Sequence, residues 1–316
     1  LRVAIIGVGS IGGIILGAMA DTDADIVCVS RGITASNLSD IGLVLHTPEG
    51  SIEVVPSERY LLADSESGPL SEQIRGSCDI AIICGKTLDN PSLAEIASEV
   101  LTEDGYALTI QNGLGNAEIL AHRIGRDRVF VGSLTHAAWR SNDGVVHWVG
   151  RGSINFGALD GSSNFKAEPL LNILNDADLN ATLSDDIQQI IWKKLLINVA
   201  INPVCAIAGV RNGALLEINS LWQQAMQAMR EAAIVARASG VDLGGIELDT
   251  YLRDIVAISP DNRCSMLQDI MAGRPTEIDA LCGAVVLRGE AEGIPTPCNA
   301  ILHGLIKGIE NSSKFD

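Results

Sequence analysis

Lys194, Asn198 and Asn202 stand four residues apart in Trp192-Lys193-Lys194-Leu195-Leu196-Ile197-Asn198-Val199-Ala200-Ile201-Asn202-Pro203. At about 100° of turn per residue, that spacing puts one ammonium and two carboxamides in a single narrow stripe of a helix. Such a stripe is costly to bury among Leu, Ile and Val unless it faces water, a ligand or polar partners. A solvated helix face would account for a lone lysine. Here Trp192, Leu195, Leu196, Val199 and Ile201 leave almost no ordinary surface face, so the stripe is expected to point into a polar cleft. Taken alone, it suits a polar carbonyl compound and specifies no more than that.

A second set of groups surrounds a glycine loop. Val3-Ala4-Ile5-Ile6 reads as a buried parallel strand, Gly7-Val8-Gly9-Ser10-Ile11-Gly12 follows it directly, and a helix runs on through Ile14 to Met19. In this strand, loop and helix context the first glycine permits a tight turn, the second lets backbone approach a pyrophosphate, and the helix N-terminus stabilises the anion. A dinucleotide is the expected ligand. At the end of the second strand, where an NAD binder usually carries Asp or Glu, this chain has Ser30-Arg31; an arginine suits a 2′-phosphate, so NADP(H) is preferred, against a solvated loop arginine. Lys86 and Asn112 each follow the carboxyl end of a predicted strand, the edge at which open parallel sheets bind ligands, although Asn112-Gly113 is also an ordinary turn pair.

The elements that must hold these groups can be read along the chain. Strands are predicted at Ile26 to Val29, Ile80 to Cys84 and Tyr106 to Ile110, with a helical stretch after Pro91; alternating strand and helix implies a parallel α/β sheet. Around Val145 to Gly157 two short strands joined at Gly150-Arg151-Gly152 fit an antiparallel hairpin on the sheet edge. Asn180 to Leu183 can be a last strand, and Gly161-Ser162-Ser163-Asn164 is a loop. Helical periodicity then takes over in Ile187 to Val204, Leu215 to Ser239, Ser265 to Met271 and Ile278 to Glu292. The fold class is therefore α/β: a Rossmann-type, doubly wound N-terminal domain over residues 1–184 and a mainly helical domain over 185–316.

Composition narrows the function classes. The 316 residues suffice for two ordinary domains, and 47% hydrophobic against 19% charged residues excludes a disordered chain. No apolar run is read as long enough to span a membrane. A net charge of −17 disfavours nucleic acid and anionic lipid as partners, so any anionic ligand must be held by local positive groups. Seven scattered cysteines in apolar context read as reduced core residues, hence a cytosolic protein. With no Cys-x-x-Cys and no helical pair spacing among the five histidines, no metal site is expected. A strand starting at Leu1 or Arg2 leaves no room for a leader peptide. The apolar second domain could supply a homodimer interface.

Ser265 and Glu277 have structural explanations. Ser265-Met266-Leu267-Gln268 fits a capping box, and Thr276-Glu277-Ile278-Asp279 after Pro275 fits a second helix start. A serine at a helix N-terminus could equally hold a carboxylate.

With these residues laid out, the chain resembles the ketopantoate reductase (2-dehydropantoate 2-reductase) family over nearly its whole length. The motifs agree in order, spacing and context: Gly7-x-Gly9-x-x-Gly12, Arg31, Lys86, Asn112-Gly113-Leu114-Gly115, Thr135-His136-Ala137-Ala138, Trp192-x-Lys194-Leu195-x-x-Asn198-x-x-x-Asn202-Pro203, Asn212-Gly213, Ser265-Met266-Leu267-Gln268-Asp269 and Thr276-Glu277-Ile278-Asp279. The resemblance implies that Lys194 is the proton donor, that Asn198, Asn202, Asn212 and Ser265 contact substrate, and that Asn112 touches both substrate and coenzyme. It implies coenzyme contacts from Gly7, Val8, Gly9, Ser10, Ile11, Gly12, Arg31, Lys86, the backbone near Ala138, and Glu277. The implied reaction is NADPH-dependent reduction of a small 2-oxo acid, ketopantoate, to pantoate, with substrate between the domains and a hinge closure that expels water. Gly32 to Ser77 and Val241 to Asn262 carry no matching motif and could reshape the pocket. Two alternatives therefore stand beside it: a reductase of another bulky 2-oxo acid, and a non-catalytic NADP-binding sensor on the same scaffold.

Overall fold

Side chains along Arg2–Ile6 (β1) divide between two cores, with Val3 and Ile5 in one and Ala4 and Ile6 in the other. A strand that is apolar on both faces belongs inside a parallel sheet with helices on either side. The computed structural model places it there. It describes residues 1–161 and 164–312, so the loop expected at Gly161 to Asn164 falls partly, at Ser162 and Ser163, outside the described residues.

The chain forms two compact units, one of residues 1–111 and 116–187, the other of residues 112–115 and from Gln188 onward. In the first unit the elements run β1, α1 (Ser10–Met19), β2 (Asp25–Ser30), α2 (Gly32–Asp40), β3 (Leu43–His46), β4 (Ile52–Val55), β5 (Tyr60–Asp64), β6 (Cys78–Ile83), α3 (Asn90–Val100) and β7 (Leu101–Thr109). They continue with α4 (Asn116–Ile124), β8 (Val129–Leu134), β9 (Ala137–Arg140), β10 (Val146–Gly150), β11 (Ile154–Ala158), α5 (Glu168–Asp176) and β12 (Ala181–Leu183).

Among the described residues, eight of these strands form one sheet in the order β12-β11-β8-β7-β6-β1-β2-β5, parallel throughout except between β8 and β11. Helices α1 and α5 cover one face with Ile14, Leu16, Leu170 and Leu174, and α3 and α4 cover the other with Leu93, Ala97 and Leu120. This is the doubly wound, Rossmann-type arrangement.

The hairpin expected around Gly150 to Gly152 does not form. β10 joins a second, four-stranded sheet, order β4-β3-β10-β9, whereas β11 joins the large sheet between β8 and β12. The glycines serve a passage from one sheet to the other. A Cβ on Gly152 would lie 2.4 Å from the Thr135 carbonyl carbon, and the Gly152 N–H donates to Nδ1 of His136 at 3.0 Å. Turn-forming residues report that the chain bends, not which strands then pair. The second sheet, which takes two of its four strands, β3 and β4, from the stretch that carried no motif, packs on the small face of α1. Cβ atoms on Gly13 and Gly17 would lie 2.7 Å from Val146 and 2.5 Å from Leu45.

The second unit is helical, with α6 (Ile187–Ala208), α7 (Ala214–Glu217), α8 (Asn219–Ala238), α9 (Leu248–Ile258), α10 (Ser265–Met271), α11 (Ala284–Glu292) and α12 (Pro297–Ser312). Three sequence readings change here. The helix expected over Leu215 to Ser239 is two, because Ile218 adopts extended backbone (φ −112°, ψ 98°). The helix expected from Ile278 opens as a π-helical turn over Asp279–Gly283. Among the described residues one helix, α6, is long and apolar enough by length and composition to cross a membrane, contrary to the expectation of none. Two thirds of its apolar window (67%) is buried within the protein, where Trp192, Leu195, Leu196 and Val199 form the centre of the helical core.

Candidate functional site

The glycine loop owes its shape to close backbone contacts. Gly7 has φ +90°, and a Cβ there would stand 2.6 Å from the Gly85 backbone; a Cβ on Gly12 would stand 2.3 Å from the Gly7 carbonyl oxygen. Gly9 differs, since a Cβ on it would meet no protein atom within 4 Å. Its missing side chain is not demanded by packing, and it leaves the approach to the loop clear. Helix α1 is preceded by Gly9 as its N-cap, with no side-chain cap and no acid in its first turn, so its N-terminal N–H groups and positive dipole end are left for an anion. The loop therefore fits a dinucleotide's pyrophosphate.

Arg31 and Lys86 are brought to this same edge. Arg31 follows β2, donates to Oδ2 of Asp89 at 2.8 Å and lies 3.9 Å from Glu66. Asp89 belongs to the turn that starts at Lys86, its N–H donating to the Lys86 carbonyl at 3.0 Å. Both cationic residues are exposed. The Gly85 end of this turn is tied to the end of β7 by a relay of amides, Gln111 half-buried and Asn90 and Asn116 buried, that the sequence reading missed. Gln111 Nε2 donates to the Gly85 carbonyl and to Asn90 Oδ1, both at 2.7 Å, and Asn90 Nδ2 donates to Asn116 Oδ1 at 2.6 Å. Ala138 lies on β9, paired with Trp148 in the four-stranded sheet, and that strand packs against α1.

In the helical unit, Asn112 Nδ2 donates to Oε2 of Glu277 at 3.0 Å. The turn carrying Asn112 is seated against the π-helical segment, because the Leu114 N–H donates to the Ala280 carbonyl at 2.9 Å and a Cβ on Gly113 (φ +84°) would strike that same oxygen. Lys194 shares the carboxylate's field. Burial of its ammonium pushes its pKa from 10.5 down to about 8, against the opposing pull of Glu277. At neutral pH the group is still cationic and yields its proton more readily than a solvated lysine.

Asn202 and Asn212 are both tied to the segment around Cys264. The capping box expected at Ser265 does not form: the N-cap of α10 is Cys264, whose Sγ accepts the Leu267 N–H at 3.4 Å, while Gln268 turns to the Arg263 carbonyl at 2.8 Å. A buried, polarizable thiol substitutes for the usual hydroxyl, and burial pushes its pKa up to about 11, so it remains a donor and binds the Asn202 carbonyl at 3.5 Å. Ser265, one residue on, has an exposed side chain. Asn212 is held by its N–H on the Asn262 carbonyl at 2.9 Å, and its side-chain oxygen is buried with no hydrogen-bond partner among the described residues. An unpaired buried amide oxygen is costly, and a ligand donor would relieve it. Asn202 is buried and Asn198 half-buried one turn earlier on α6. Among the described residues, no group of three or more His, Cys, Asp or Glu side chains is arranged to hold a metal ion.

A family profile described as ketopantoate reductase PanE/ApbA matches residues 3–161, and its C-terminal counterpart matches residues 186–310. The chain belongs to the ketopantoate reductase family. As a member of it, the protein is an oxidoreductase. A 2-dehydropantoate 2-reductase of Halobacterium salinarum is 30% identical over 312 residues, covering 97% of this chain and 98% of that protein. The crystal structure of a PanE/ApbA family ketopantoate reductase from Ralstonia eutropha has 28% identity and a TM-score of 0.88, covering 99% of this chain and all of that one (100%). A D-mandelate dehydrogenase solved with NADH and anilino(oxo)acetate gives the same TM-score, 0.88, at 23% identity over 99% of both chains, which shows the shared fold. The C-terminal profile begins at residue 186, next to the start of α6, the helix that carries Lys194.

Proposed function

We propose that this protein reduces 2-dehydropantoate (ketopantoate) to pantoate with NADPH, a step of pantothenate and coenzyme A biosynthesis. In this reading residues 1–184 bind the coenzyme and residues 185–316 supply the substrate and catalytic groups. Bound NADPH supplies a hydride to the ketone carbon.

The chain's own groups do the rest. Lys194 donates a hydrogen bond to the ketone oxygen and transfers its proton as that oxygen gains charge, then regains a proton from solvent; general-acid help of this kind is worth roughly 10²- to 10⁴-fold. Glu277 keeps the buried ammonium cationic and holds Asn112 in place. Asn198 and Asn202 hydrogen-bond the substrate's hydroxyl and carboxylate without adding charge, Ser265 holds the carboxylate, and Asn212 donates or accepts beside them. The glycine loop (Gly7, Val8, Gly9, Ser10, Ile11, Gly12) and Lys86 hold the coenzyme phosphates, the backbone near Ala138 its nicotinamide end, and Arg31 a 2′-phosphate in exchange for Asp89.

The observation that carries this reading is Lys194, a lysine brought by burial to about 8 in the field of Glu277, the carboxylate that also binds Asn112. The test is turnover with purified protein: NADPH oxidation that depends on ketopantoate and exceeds that with a panel of other 2-oxo acids. A preference for another 2-oxo acid would reassign the substrate, and no turnover with any would leave a dinucleotide-binding protein.

A further inference from the structure

Of the motif Thr276-Glu277-Ile278-Asp279, the reading above uses only Glu277, yet the residues around it are gripped hard. The Thr276 N–H and hydroxyl both donate to Oε1 of Glu310, at 2.7 and 2.6 Å. Beyond Glu277, Asp279 takes His303 on one oxygen at 2.7 Å and Lys307 on the other at 3.1 Å. Lys307 also reaches the second oxygen of Glu310 at 2.9 Å. His303, Lys307 and Glu310 line one face of α12. On the other side, the Arg274 N–H and Nε bind the carbonyl and carboxylate of Asp269, at 2.8 and 3.0 Å.

The contacts differ in weight. Asp279, His303 and Lys307 are partly exposed, and exposed ion pairs contribute little. The Glu310 side chain is only 11% exposed, and its two charge-assisted bonds fix both the backbone and the side-chain rotamer of the residue that precedes Glu277. A helix terminus needs no buried carboxylate from 34 residues away to form.

We infer that Glu310, acting through Thr276, is a positioning residue that sets where the Glu277 carboxylate stands relative to Lys194 and Asn112. The inference rests on the role given to Glu277 above. Misplacement of a reacting group by about 1 Å can cost up to about 10²-fold in rate.

The test is steady-state turnover of the full-length enzyme with NADPH and ketopantoate, with circular dichroism melting as the control for folding. Glu310→Ala and Thr276→Val are each expected to lower kcat by about tenfold or more. Glu310→Gln and Thr276→Ser, which keep the acceptor and the hydroxyl, restore it. In a Glu277→Gln background, adding Glu310→Ala or Thr276→Val lowers kcat no further, because groups acting through one residue are not additive. If Glu277→Gln alone leaves kcat unchanged, the role of Glu277 itself is wrong. If Glu277→Gln lowers kcat while folded Thr276→Val does not, or lowers it by the same factor in both backgrounds, the positioning role is overturned. Thr276→Val removes a single hydroxyl and decides the matter should Glu310→Ala fail to fold.

Discussion

Asn112 and Glu277, 165 residues apart in sequence, meet in a 3.0 Å hydrogen bond from the amide Nδ2 to the carboxylate Oε2. The same carboxylate raises the proton affinity of Lys194 that burial lowers. One acid thus serves a neutral amide and a desolvated ammonium, and the balance of the two opposing effects leaves Lys194 charged but ready to release its proton.

That balance predicts a pH profile. As proton donor Lys194 must be cationic, so kcat should hold on the acid side of about 8 and fall as pH rises through it. Lys194→Ala should lower kcat by roughly 10²- to 10⁴-fold while coenzyme binding, followed by fluorescence titration, persists. Stability should move the other way with pH. The folded pKa, about 8, lies below the unfolded 10.5, so between these values the unfolded chain binds more protons and stability rises with pH. Lys194→Met should flatten that rise in melts recorded across the window. Near-normal turnover in Lys194→Ala would remove the proton-donor role.

Coenzyme choice should depend on Arg31. Loss of a charge-assisted phosphate contact is worth roughly 1.5–3 kcal/mol, so Arg31→Ala should raise KM for NADPH by about tenfold or more and leave KM for NADH nearly unchanged. Asp89→Asn, which removes the 2.8 Å ion pair now holding the guanidinium, should lower KM for NADPH. Equal use of NADH and NADPH by the wild type would refute the 2′-phosphate assignment.

Two glycines of one loop should respond differently to the same methyl group. Gly12→Ala forces a Cβ to within 2.3 Å of the Gly7 carbonyl oxygen, a backbone atom that must shift, and should lower the melting temperature along with coenzyme affinity. Gly9→Ala meets no protein atom within 4 Å, so it should melt close to wild type while binding coenzyme poorly. Melting curves with and without NADPH distinguish these outcomes; tight binding by Gly9→Ala would show that the phosphates lie elsewhere.

Glu231 should matter for stability and not for chemistry. It is buried, with 4% of its surface exposed, and accepts the N–H groups of Cys298 and Asn299 at 3.0 Å each, in the first turn of α12. Those donors have no intrahelical partner and sit behind Pro297, the first residue of the helix. Glu231→Ala should destabilise the protein by about 1–3 kcal/mol in urea unfolding, the cost of leaving buried groups unpaired, with kcat unchanged at temperatures where the variant is folded.

Much of this was legible in local sequence. The strand, glycine loop and helix from Arg2 to Met19 are specified by apolar run length and by backbone sterics within a dozen residues, and the stripe on α6 follows from helical periodicity alone. The local signals misled where the deciding partner is distant. Gly150-Arg151-Gly152 marks a turn equally well for a hairpin or a passage between sheets, and Thr135 and His136 settle it. Ser265 satisfies a capping pattern, but the thiol of Cys264 is the group that reaches the Leu267 N–H. Gln111 and Asn90 gave no signal, because an amide relay has no period and its members are separated by 21 residues.

The sequence by itself determined the α/β class with its helical second part, the dinucleotide loop and the residues of the family motifs, because periodicity and short-range sterics act between near neighbours in the chain. Only the tertiary structure decided which sheet each strand joins, which atom caps α10, and that Asn112 and Lys194 both answer to the carboxylate of Glu277. Those outcomes depend on desolvation and charge among groups that folding alone brings together, and neither quantity exists until the chain has packed.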